Sequence, residues 1–159
     1  MKYQLIISII LCFSFCTSSF AQDKKIVNRM VVLGSKYNDD NNSDYYRGGS
    51  HFLTLYIYQE NVVVFANETI VSSDTLASYG QIFDFEVKRT KEPLKSNYSF
   101  KWMYRNTYDD IRGTARVSLD FIYSKKGMLF KCIMVLENLD KYEYTGYVEG
   151  TADISSYFK

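Results

Sequence analysis

Two neighbouring stretches, NYSFKWMYRN (97–106) and GTARVSLDFIY (113–123), decide the fold. In the first, Tyr98, Phe100, Trp102 and Tyr104 recur at every second position, and Ser99, Lys101, Met103 and Arg105 fill the places between. In the second, Ala115, Val117, Leu119, Phe121 and Tyr123 alternate with Arg116, Ser118 and Asp120. A spacing of two puts the apolar set on one face of an extended chain, so both stretches are predicted strands with one buried side. The residues between them, Thr107 to Arg112 with Gly113 closing, read as a hairpin loop. Asp109 and Asp110 therefore belong to a turn. As a carboxylate pair they are poorly placed, because adjacent residues on a strand face opposite ways.

The same reading extends in both directions. KIVNRMVVLG (25–34) is a Val-rich strand, and HFLTLYIYQE (51–60) and NVVVFANETI (61–70) meet at Glu60-Asn61 as a tight hairpin. QIFDFEVKRT (81–90) alternates, with Phe83, Phe85 and Val87 expected on one face and Asp84, Glu86 and Lys88 on the other. GMLFKCIMVLEN (127–138) is apolar throughout, and the turn residues on either side make it a strand between two hairpins. KYEYTGYVEG (141–150) places Tyr142, Tyr144, Gly146 and Val148 on one face. SSDTLASYG (72–80) carries helix signals, Ser73 or Asp74 as a cap and Gly80 as a stop, and predicts one helical turn. The tail TADISSYFK (151–159) reads as an irregular end or a short last strand.

The sum is an all-β domain, an antiparallel meander of about eight strands. Two closures suit such a meander: an up-and-down barrel or a two-layer sandwich. The barrel is favoured because it removes the edges that a Tyr-rich sheet would otherwise expose. This topology resembles the lipocalin/calycin architecture. The G-x-W motif of that architecture has no counterpart, since Gly34 is followed by Ser35 and Lys36 and the single Trp102 lies mid-chain, so the likeness is one of fold alone.

The N-terminus reads as a signal peptide over residues 1–21. Lys2 is followed by the apolar run Leu5–Cys16, too short for a bilayer that needs about 20 residues, and Ser19 and Ala21 mark cleavage before Gln22. Residues 22–159 then form a single domain without a transmembrane segment, secreted or periplasmic. Lipidation is disfavoured because Cys12 and Cys16 follow the bulky Leu11 and Phe15. The 19 basic side chains lose Lys2 and match the 18 acidic ones, a balance that does not point to nucleic acid. Cys132 alone survives cleavage, so no internal disulfide is expected, and its apolar surroundings make it a core residue.

Candidate chemistry is sparse. Asp40-x-Asn42-x-Asp44 offers alternate oxygens to calcium, but an EF-hand loop counted from Asp40 meets Tyr45 where it needs Gly and His51 where it needs Glu. The three residues make a weak calcium candidate within a polar loop. His51 is the one histidine, with no second ligand for zinc and no nucleophile elbow beside it. No glycine-rich phosphate loop is present, and no cofactor is implied. Glu137, ending an apolar run, is the most notable acid. The strongest pointer to function is the ring-bearing face of Tyr98, Phe100, Trp102, Tyr104, Tyr142 and Tyr144, which suits a small apolar or amphipathic ligand in a barrel interior. The leading expectation is a non-enzymatic binding module. The alternative is a structural or interaction protein with a filled core that docks on another envelope or secreted protein through exposed tyrosines such as Tyr56, Tyr58 and Tyr147.

Overall fold

The computed structural model describes residues 25–41, 50–58, 62–91 and 94–150. The signal peptide, Asn42 and Asp44, the Tyr58 side chain and the tail from Thr151 lie outside the described residues. No helix occurs among the described residues. The strands are β1 (Lys25–Tyr37), β2 (Asp40–Asn41), β3 (His51–Tyr58), β4 (Val62–Val71), β5 (Asp74–Lys91), β6 (Leu94–Asn106), β7 (Arg112–Ser124), β8 (Gly127–Leu136) and β9 (Lys141–Gly150). From β3 onward each strand pairs antiparallel with the next, β1 pairs with β3, and β1 also pairs with β9. That last pairing closes an eight-strand up-and-down barrel. The two-residue β2 is a flap on the end of β1, folded back through Asn38 and Asp39, both at positive φ.

The period-two pattern does what it predicts. Tyr98, Phe100 and Trp102 of β6 pair across with Leu119, Val117 and Ala115 of β7, and all six are buried. Phe121, Phe130, Cys132, Met134 and Tyr144 continue the interior round β7, β8 and β9; Met30, Val32, Leu53, Leu55 and Phe65 complete it. Rings pack on rings: Phe65 meets Phe100 and Trp102 edge-on at 5.5 and 5.1 Å, and Tyr98 meets Phe121 at 5.3 Å. The Trp102 indole N–H donates to the Phe65 carbonyl at 2.9 Å, so this large side chain is buried with its polar atom satisfied. Cys132 is free and fully buried, and burial raises its thiol pKa far above the ordinary value.

Three readings need correction. The helical turn expected over 72–80 is absent. β4 and β5 instead form a tight hairpin at Ser72-Ser73, with Ser72 at positive φ, and β5 starts at Asp74. The cap-like residues are turn residues; Leu76 and Ser78 share one face of β5 and pair with Thr69 and Asn67. Second, Phe83 does not share a face with Phe85 and Val87. A bulge between Phe83 and Glu86, with Asp84 at φ 50°, leaves Phe83 opposite Lys101 on the outer face and turns Phe85 inward onto Tyr98. Third, Tyr56 is not an exposed tyrosine. Its strand position points outward, yet it is buried, and its hydroxyl donates to Glu68 at 2.6 Å beside a second donor, Thr54.

Candidate functional site

At the end of the barrel where the β4–β5, β6–β7 and β8–β9 turns lie, the interior changes from apolar to polar. Ser35, His51 and Asn106 are buried there. Alternation puts His51 on the inner face: the core residues Leu53 and Leu55 follow it at spacing two, and it pairs with Thr69 of β4. Its Nε2 lies 2.5 Å from the Asn67 amide oxygen, which fixes Nε2 as the protonated nitrogen. The Asn67 amide nitrogen reaches the Tyr144 hydroxyl at 3.4 Å, and the Tyr144 ring meets the imidazole edge-on at 5.0 Å. Burial holds the His51 pKa down to about 4, against the opposing pull of the Asn67 hydrogen bond. The imidazole is neutral at pH 7. Beside this group the Ser78 hydroxyl donates to the Asn106 amide oxygen at 2.6 Å.

Above these residues opens a cleft of about 620 Å³ lined by Ser50, His51, Asn67, Thr69, Leu76, Ser78 and Tyr108, with Ile70, Val71 and Ser72 at its edge. The β4–β5 hairpin forms one wall, and Tyr108 from the β6–β7 turn another. Further tyrosines gather at the same end. Tyr37 and Tyr142 lie 5.0 Å apart, Tyr142 stacks on Tyr144 at 6.3 Å, and Tyr104 lies on Trp102 at 4.9 Å. Tyr142 is raised in pKa by burial first, then by the neighbouring Tyr37, Asp140, Tyr104 and Tyr108.

The structure therefore divides the predicted ring-bearing face. Tyr98, Phe100 and Trp102 lie in the packed middle of the barrel, and Tyr104, Tyr142 and Tyr144 lie toward its polar end. Among known proteins, no family model, no curated protein and no solved structure matches the chain.

The acidic residues take structural places. Asp109 accepts the Ile111 N–H at 2.9 Å and Asp110 pairs with Arg105, as a turn requires. Glu137 accepts the Thr114 hydroxyl at 2.6 Å on the outer surface. Asp40 sits in β2, and no cluster of His, Cys, Asp and Glu suited to a metal occurs among the described residues. His51 and Tyr144 were legible as residue types, but Asn67, Ser78, Asn106 and Tyr108 were not singled out. Their one signal is a run of polar residues at inward positions near strand ends, visible only once the register is known.

Proposed function

We propose that this protein is a secreted or periplasmic, non-enzymatic β-barrel module that binds a small amphipathic ligand at the polar, tyrosine-ringed mouth of its barrel. The observation that carries the reading is the open cleft over His51, Asn67 and Ser78. Polar groups converge there at one end of the barrel, beyond its ring-packed middle. Secretion rests on the leader read from residues 1–21. The absence of a catalytic role is supported by the chemistry of His51. An imidazole whose proton affinity is so depressed by burial makes a weak general base at neutral pH. Native mass spectrometry of protein purified gently from the secreted or periplasmic fraction tests the reading. A mature chain starting at Gln22 with added small-molecule mass supports it. A bare chain that self-associates counts against it.

One observation favours the second reading, a docking protein. An apolar row on the outer side of the sheet crosses five strands: Ile122, Leu129, Tyr147, Val31 and Phe52 are successive cross-strand partners, of which Val31 and Phe52 are themselves buried. Leu129 and Tyr147 in this row are 50% and 40% exposed, and Leu33 beside them is 58% exposed. Tyr147 is thus the expected docking tyrosine that does lie on the surface. Tyr147→Glu would abolish the self-association named above if this face is the contact, and would leave ligand mass unchanged if the mouth is the site.

A further inference from the structure

We infer that the mouth cleft takes its ligand head-group first, and that this head group is uncharged and rich in hydroxyl or amide groups, as in a nonionic glycoside amphiphile. The inference rests on the binding reading above and names its ligand class. Its basis is the arrangement of polarity in the cleft. The inner part is built from His51, Asn67, Thr69 and Ser78, and the edge from Ile70, Val71, Leu76 and Tyr108. His51 is 1% exposed, whereas Ile70, Val71, Leu76 and Tyr108 are between 40% and 58% exposed. The floor is polar and the rim apolar, so an amphiphile fits with its head inward and its chain along the rim. A calyx for a buried hydrocarbon tail would have the opposite order.

Among the described residues, no Asp, Glu, Lys or Arg lines the cleft. Of the described carboxylates near it in sequence, Asp74 is exposed where β5 begins, and three others are held elsewhere. Glu68 faces outward and takes hydrogen bonds from Thr54 and Tyr56, Asp109 takes the Ile111 N–H, and Asp110 pairs with Arg105. A carboxylate or ammonium entering here would shed water and find no counter-charge among these lining residues, a costly transfer. Hydroxyls and amides, by contrast, both donate and accept. They match a floor made of an Asn amide, Ser and Thr hydroxyls and a neutral imidazole.

The test uses three submicellar probes with the same chain length at pH 7: n-octyl β-glucoside, octanoate and octylammonium. Binding is read from the NMR signals of the His51 ring and the Asn67 side-chain amide. Saturable shifts are expected with the glucoside, with the two charged probes at least about tenfold weaker. Ser78→Ala and Asn67→Leu, each checked for an intact fold by circular dichroism, should each weaken the glucoside about tenfold, the worth of one hydrogen bond to a buried partner. Octanoate or octylammonium binding as tightly as the glucoside would overturn the uncharged head group and leave the binding reading intact. Glucoside shifts at Leu76 and Tyr108 with His51 unmoved would overturn the head-first orientation. If none of the three probes moves any of these signals, the binding reading itself fails.

Discussion

At the scale of single residues, two positions carry sharp expectations. His51 has its pKa lowered to about 4 in the fold, against an ordinary value of 6.5, chiefly because burial disfavours its charged form. The unfolded chain therefore binds the extra proton more readily, and stability must rise with pH between those two values. The contribution is complete above pH 6.5 and lost as pH falls toward 4. Most carboxylates titrate below pH 5, so the window from pH 7 to pH 5 isolates the imidazole. The unfolding free energy should drop by about 2 kcal/mol across it. Urea titrations at the two pH values check this, and a flat profile would mean that His51 is solvated. Gly146 is the second position. It pairs with Val32 where β1 bulges at Leu33, and a Cβ there would collide with the Val31 carbonyl oxygen and press on the Phe130 ring. Gly146→Ala should destabilise by about 2 kcal/mol or more, because backbone on one side and a core ring on the other leave little room to relax. Gly127→Ala meets no neighbour and carries only the backbone cost of its positive φ, so about 1 kcal/mol is expected.

At the scale of elements, β5 shows what could be read from the sequence and what could not. Strands β6, β7 and β9 were legible because their alternation is unbroken, and the inward set read from spacing is buried through the middle of the barrel, with Tyr104, Tyr142 and Val148 half-buried and Tyr123 exposed toward the strand ends. β8 was legible by its flanking turns. β5 was misread twice, for two physical reasons. The turn into it and its start, Ser72 to Ser78, use residues that serve helix caps and hairpin turns equally well, and only pairing with β4 decides between them. Its middle hides a bulge. One extra residue reverses every side chain beyond it, and Asp84 gives little warning because Asp tolerates positive φ without being confined to it. The polar mouth was illegible for a related reason, since Asn67, Ser78 and Asn106 come from three strands and meet only through register. The bulge also carries a prediction. Asp84→Gly loses only an exposed ion pair with Lys101 and gains backbone freedom at φ 50°, so it should shift stability by less than about 0.5 kcal/mol. Asp84→Val forces a β-branched residue into the same conformation and should cost about 1–2 kcal/mol. Equal melting temperatures for the two variants would mean that the bulge can migrate.

At the scale of the whole molecule, closure decides how the barrel behaves. β1 pairs with β9, so the first and last described strands are neighbours, and each has an unpaired edge until they meet. Undoing that seam would expose two strand edges and open the interior held by Met30, Val32 and Tyr144. The barrel should therefore unfold as one unit, without a stable half-barrel. Trp102 reports on this from a distance. It lies on β6, far along the sheet from the seam, is 2% exposed and is hydrogen-bonded to Phe65 across the interior. If closure is what excludes water from the core, weakening the seam must release Trp102 as well. In Gly146→Ala, the loss of Trp102 shielding from iodide and the loss of the far-UV β signal should fall on one denaturation curve, shifted to lower urea but equally steep. A first transition confined to the far-UV signal, with Trp102 still shielded, would show instead that the ring-packed sheet of β5 to β8 stands without closure. The interior would then be held by the packing of Phe65, Phe100 and Trp102 rather than by the seam.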